Sequence, residues 1–318
     1  MPAQCVMEIT EDRPTVYPMT TAPRWHEPVM GTEVLEWLAP RPGATVVDAT
    51  VGTGGHSLLI LPALLPSGQL IALDRDREAL DVAKSRLIEF DPQATFIHGN
   101  YRDLPAMLSR LGLTCVDGVV VDLGMSSFQV DRAERGFSFT HEGPLDMRMD
   151  TTQALTASTL VNRLSTDELA TILETFGEER FAWRIARRLV EARRKQPITT
   201  TAQLTQLVLS ALPTGQRHQR LHPATRTFQA LRIAVNDEIG ALGQCLTDLR
   251  MLLRPGGRAV ILSYHSLEDR LVKHRFAQGM REGWWTVLTK KPLRPPDDEV
   301  RRNPRARSAK LRAVERRG

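Results

Sequence analysis

A chain of 318 residues, 42% apolar and 25% charged, can bury one large or two ordinary cores and has the composition of a soluble globular protein. Its three cysteines (Cys5, Cys115, Cys245) show no CxxC spacing, which argues against a disulfide framework or a metal site and fits the cytoplasm, and no apolar run is long enough to span a membrane. The net charge of +5 is uneven: residues 281–318 hold 12 Lys and Arg against 5 Asp and Glu, a basic end that suggests nucleic acid, with a solvated charged tail as the competing explanation.

Residues 1–24, with Pro14, Pro18 and Pro23, read as an irregular segment, and Glu8, Glu11 and Asp12 argue against a signal or transit peptide. A helix is expected near 31–39. Ala44–Asp48 is a short β-branched run that reads as a buried strand. A glycine turn follows, Asp48-Ala-Thr-Val-Gly-Thr-Gly-Gly-His56, and then an apolar helix over Ser57–Leu65, with Pro62 as a candidate kink. The second strand, Gln69–Leu73, ends in Asp74. Strand, glycine turn, helix, strand and acid make the plan of a nucleotide-binding βαβ unit, in which the acid accepts hydrogen bonds from a ribose diol. A dinucleotide turn places a third glycine where Ser57 stands, so S-adenosylmethionine is favoured over NAD. Thr50 occupies the first glycine position of the methyltransferase turn D-x-G-x-G-x-G.

Further along, a helix is expected over 76–90, a third strand over Ala94–His98 and a central fourth strand over Val116–Asp122. The strand pattern then stops. Helices are expected over Ala157–Asn162, Ser165–Thr175, Glu178–Lys195 and Thr201–Leu212, with a capping signal at Ser165-Thr-Asp-Glu168. One long helix over 224–252 leads to Arg254-Pro-Gly-Gly257 and a fifth strand, Arg258–Leu262. Trp284–Thr289 and Ala309–Val314 suit a closing antiparallel pair. The expectation is an α/β, Rossmann-like doubly wound sheet domain over 25–125 and 224–318, with an inserted all-helical domain over 126–223.

Four segments besides the glycine turn fall at the ligand-binding edge of such a sheet or at the mouth of the insertion: Gly99-Asn-Tyr101, Asp122–Gln129, His222–Arg232 and Tyr264–Asp269. Taken singly, Tyr101 reads as a core aromatic, and His222 and His265 as loop or cap residues. Asp122 does not, because a carboxylate ending a Val-Val-Val strand is hard to explain as packing.

The stretches Asp48–Ser57, Ala72–Asp76, Asp122–Asp131, Glu134–Phe139, Gly143–Asp150, Gly177–Phe181, His222–Arg232, Tyr264–Arg270 and Asn303–Arg307 resemble the bacterial 16S rRNA (cytosine-N4)-methyltransferase family (RsmH, older name MraW), from about residue 25 to the end. The resemblance implies a class I S-adenosylmethionine-dependent enzyme that methylates the exocyclic N4 of a decoding-centre cytosine in 16S rRNA, within the small subunit or its precursor. It implies cofactor contacts from Gly54, Gly55, His56, Asp74, Tyr101, Asp122 and Gln129. Tyr101 and Tyr264 stand where many members carry Phe. Amine methylation needs no covalent enzyme intermediate, and no cysteine lies in an expected site. The stretch Asp122-Leu-Gly-Met lacks the Pro-Pro of other amino-methyltransferases, so Asp122, Ser126, Ser127 and His265 all remain candidate acceptors for the amine. His265 would either orient the cytosine or cap the following helix. Candidate RNA contacts are Arg135, Arg148, His222, Arg226, Arg232, Arg305 and Arg307, and the helix bearing Arg184, Arg187, Arg188, Arg193, Arg194 and Lys195 could hold a phosphate backbone. Rival readings are an amino-methyltransferase acting on DNA or protein, and an RNA-binding assembly factor without catalysis. The sequence does not distinguish a monomer from a homodimer.

Overall fold

The structure, a computed structural model, describes residues 27–213 and 222–318, so the expected irregular segment over 1–24 lies outside the described residues. Five parallel strands form the centre of one sheet: β1 (Thr45–Asp48), β2 (Gln69–Asp74), β3 (Ala94–His98), β4 (Val116–Asp122) and β5 (Leu253–Ser263). Then β7 (Lys310–Arg316) runs antiparallel to β5, and β6 (Trp285–Val287) antiparallel to β7, giving the order β3-β2-β1-β4-β5-β7-β6. The β-branched runs sit centrally because both their faces are covered. Val47, Val119 and Val121 pack on one face, against α4 (Leu104–Arg110), α11 (Glu238–Leu252) and α12 (Ser266–Arg281). Val46 and Val120 pack on the other, against α1 (Gly31–Leu38), α2 (Gly55–Leu64) and α3 (Arg77–Arg86). Pro62 lies inside α2, which continues to Leu64.

Between β4 and β5 the chain forms a third core of its own, made by α6 (Ala157–Arg163), α7 (Thr166–Gly177), α8 (Ala182–Arg193), α9 (Thr201–Ala211) and α10 (Thr225–Asn236). Three of these start on side-chain caps. Thr156 accepts from Thr159 N–H, and Ser165 and Thr200 form capping boxes with Glu168 and Gln203.

Two expectations about these helices are corrected. Glu178, expected to open a helix, instead ends α7 in the left-handed region at φ 47°, and α8 starts at Ala182. The long helix over 224–252 is broken at Asp237, φ 45°. Asn236 holds the break. Its amide donates to the carbonyls of Met147 and Arg232 (2.8 and 2.9 Å) and its Oδ1 accepts from Met149 N–H (2.8 Å). The apolar period runs through unchanged, but α10 packs with the helical core and α11 with the sheet. The two cores therefore divide at Asp237 and not near 223. The helices α4, α5 (Ser127–Val130) and α13 (Asp297–Arg302) were not among the expected elements.

Candidate active site

The carboxyl ends of the parallel strands open on a cavity of about 560 Å³, within the roughly 300–1,000 Å³ usual for small-molecule sites. The turn after β1 forms its floor. Gly52 and Gly54 lie in the left-handed region, φ 52° and 87°, where a side chain would be strained. Gly52 N–H donates to Asp74 Oδ2 (2.7 Å) and Asp76 N–H to Asp74 Oδ1 (2.8 Å), so each carboxylate oxygen keeps a further lone pair. Burial raises the Asp74 carboxyl to about 6.

The two departures from the glycine pattern have structural jobs. Ser57 Oγ donates to the buried Asp48 Oδ2 (2.7 Å), fastening the turn to its own strand. Thr50 Oγ1 accepts from Asp122 N–H (2.6 Å), fastening it to β4. Neither role is legible in the sequence, because both partners come from the strand pairing and the turn geometry.

At the far end of the turn, Asp122 Oδ1 accepts from the Tyr264 hydroxyl (2.7 Å), and Asp122 Oδ2 lies 3.8 Å from His56 Nδ1. His56 Nε2 donates to the Val29 carbonyl (2.9 Å), which leaves Nδ1 facing the carboxylate. Burial raises the Asp122 carboxyl, with His56 and the Tyr264 hydroxyl opposing the rise, and burial also raises the Tyr264 phenol. Tyr101, from the turn after β3, adds a nearly buried ring to the wall.

Of the other expected cofactor contacts, Gly55, His56, Asp74 and Gln129 line the cavity and Gly54 does not. A Cβ on Gly54 would make only ordinary contacts, 3.5 Å from Leu87 and 3.6 Å from Ala83, so this glycine serves the left-handed turn that opens α2. Gln129 lies in the wall, but its amide donates to Asp76 Oδ2 (2.7 Å) and its Oε1 accepts from Ser126 N–H (3.1 Å). Its polar atoms hold the wall together. His265 is not in the wall. It caps α12, and its Nε2 lies 3.1 Å from Glu268 Oε1, which does line the cavity. Glu238, His265 and Glu268 bring their donor atoms within 4.8 Å of one another, yet Arg232 already occupies both oxygens of Glu238.

The expected RNA contacts divide. Arg135 is buried in an ion pair with Asp76 (2.9 Å) and donates to the Arg148 and Met149 carbonyls, and Arg232 is buried on Glu238. Arg148 forms a fork with Asp146. These three belong to the framework, since each positive charge meets a counter-charge within the protein. Arg226 is exposed and donates to the Glu178 carbonyl, and His222 stacks on Phe139 with ring centroids 4.5 Å apart. Arg305 stands at the cavity mouth, paired with Asp131 (2.6 Å), and Arg307 is exposed outside it. Sequence reasoning gave no individual role to Arg75, Asp76, Met149 and Glu268, although each lies in a stretch that carries the resemblance, and it missed Glu238; all are near or in the wall.

A parallel sheet in this order, closed by the antiparallel β7 and carrying an acid after β2 beside a glycine turn after β1, defines a class I S-adenosylmethionine-dependent methyltransferase. Residues 24–317 match the MraW methylase family, and the chain belongs to that family. Among similar proteins, the ribosomal RNA small subunit methyltransferase H of Geobacter sulfurreducens is 50% identical over 305 residues, 91% of this chain and 98% of that protein. The protein of the same name from Syntrophotalea carbinolica is 49% identical over 306 residues, 92% of this chain and 98% of that protein. A solved putative rRNA-methylase from Clostridium thermocellum aligns at 12% identity and a TM-score of 0.42, over 90% of this chain and 94% of that one. The protein is a methyltransferase and its cofactor is S-adenosylmethionine.

The residues present fit that cofactor. The turn is stripped of side chains at Gly52 and Gly55, where a Cβ on Gly55 would press on Pro28 at 3.2 Å, and Asp74 offers carboxylate acceptors at the cavity edge. Among the described residues no helix is long and apolar enough to cross a membrane.

Proposed function

We propose that this protein methylates the exocyclic N4 of a cytosine in the decoding centre of 16S rRNA, in the cytoplasm, on the small ribosomal subunit or its precursor. The observation that carries the reading is Asp122, a carboxylate at the end of the central strand, held by Tyr264 and facing the cavity beside the glycine turn. The names of the similar proteins supply the RNA substrate. S-adenosylmethionine, when bound, supplies an electrophilic methyl group on its sulfonium. Asp122 accepts an N–H of the amine, which turns the nitrogen lone pair toward the methyl donor, and takes the proton released as the nitrogen is alkylated. The Tyr264 hydroxyl fixes the carboxylate in place. Among the described residues neither Cys115 nor Cys245 lines the cavity, so neither thiol is placed for the covalent attack that methylation at a pyrimidine carbon needs. Asp74 holds the ribose and Tyr101 packs against the cofactor. The target cytosine must leave any base stack to reach Asp122. Mass spectrometry of 16S rRNA nucleosides from cells with and without the gene tests the proposal. Loss of N4-methylcytidine in the deletion supports it, and an unchanged nucleoside profile refutes it.

A further inference from the structure

Helix α8 buries one stripe, Ala182, Ile185, Ala186 and Leu189, at the spacing that faces it into the helical core. Trp183 falls outside that stripe and is 56% exposed, with no part in the core that the helix builds. A tryptophan left in water is unfavourable unless something covers it. Its neighbours on the outer face are Arg184, Arg187 and Arg188, with Arg180 just before the helix, all exposed. Trp183, Arg184, Arg187 and Arg188 form a groove with Ser210 and Ala211 in which Glu191 is the one carboxylate among the described residues, and it pairs with Arg187 at 2.9 Å. Arg188 donates to Ser210 Oγ (3.1 Å), while Arg184 has no ion-pair partner among the described residues.

The start of α8 is also tied to the reaction centre. Glu178 accepts from Ser266 Oγ (2.6 Å) and Arg270 Nη2 (2.8 Å), and Ser266 opens the helix that follows Tyr264. Trp183 is five residues beyond Glu178, so their Cα atoms are within roughly 18 Å.

We infer that this face of α8 is a stacking platform for an unpaired RNA segment flanking the methylated nucleotide. The inference rests on RNA being the substrate. A flat indole accepts the face of any base, and guanidinium groups beside it reach the phosphates on either side. A protein partner would have to bring carboxylates to several arginines at once, whereas a polyphosphate chain carries its charge at every residue.

Fluorescence anisotropy with a labelled single-stranded RNA from the decoding region, and with a duplex of equal length, tests this on the full chain. W183A should weaken single-strand binding about tenfold and W183F less than about threefold, with little change for the duplex. Affinity for S-adenosylhomocysteine, measured by calorimetry, should be unchanged in both. Should W183A not fold, R184A carries the test, with an expected loss of about threefold that shrinks as salt is raised. Wild-type binding of single strands retained in W183A overturns the inference while leaving the substrate reading intact. A wild-type protein that binds neither RNA also overturns the inference, while the substrate reading stands or falls on the nucleoside analysis. A change in solution mass with RNA affinity untouched assigns the face to a second copy of the chain and overturns the inference as well.

Discussion

At the scale of single residues, the site depends on carboxylates that burial makes reluctant to ionise. Asp74 titrates near 6, above the ordinary value of 3.8. In the free protein its raised value favours the folded state fully below 3.8, and that contribution is lost as pH rises through 6. Ribose hydroxyls donate to the ionised form, so cofactor binding pulls the other way. Affinity for S-adenosylhomocysteine should hold at neutral pH and fall as pH drops through 6, and binding near pH 6 should release a proton. Calorimetry in buffers of different ionisation heat measures both, and D74A should abolish the proton release and cost about 1–3 kcal/mol of affinity at pH 7.5. Asp122 has a separate role. D122N keeps the shape and removes the proton acceptor, so methyl transfer to rRNA should slow by about 100-fold or more in single-turnover assays. Y264F should slow it much less, since it removes only one hydrogen bond to the carboxylate. Full activity in D122N would exclude Asp122 as the acceptor.

At the scale of elements, the decisive feature is the break between α10 and α11. There the chain passes from the helical core to the sheet while Arg232, before the break, pairs with Glu238, after it. Asn236 is buried and joins α10 to the Met147–Met149 segment. N236A leaves the Met149 N–H and the Met147 carbonyl without these partners, and urea denaturation should show a loss of about 2–4 kcal/mol. If α10 and α11 were a single continuous helix, the same change would be nearly neutral. The Arg232–Glu238 pair also explains why two charged residues can line the cavity: each satisfies the other at 2.8 and 2.9 Å.

At the scale of the whole molecule, the basic end is less free than its composition implies. Arg312 and Lys310 both pair with Asp269, Arg258 pairs with Glu315, and Arg305 pairs with Asp131. Part of this charge therefore holds the fold together: Lys310 and Arg312 fasten β7 to α12, Glu315 ties it to β5, and Arg305 meets Asp131. Arg307 is exposed, and no ion pair to it is found among the described residues. If it meets a phosphate, R307A should weaken rRNA binding at low salt and lower the slope of log affinity against log salt by about 0.9. Equal slopes for R307A and the wild type would show that this arginine is only solvated.

The sequence by itself determined the βαβ plan, the parallel strands down to their end residues at Ala94–His98 and Val116–Asp122, and the acid positions Asp74 and Asp122. These are local signals: β-branched runs, glycines at a turn, an acid at a strand end. The motif stretches carried the family in the same way. Tertiary structure alone decided which charges are partnered, because Arg135 and Asp76 are 59 positions apart in sequence, and Arg232 meets Glu238 only across a left-handed residue. It also decided that Asp237 divides the two cores and that His265 supports Glu268 from outside the cavity. It gave Thr50 and Ser57 their tasks as well, since a hydroxyl shows its partner only once strands pair and a turn closes. Periodicity records which face of a segment is apolar. It does not record which core that face will meet, or which opposite charge the fold will bring beside it.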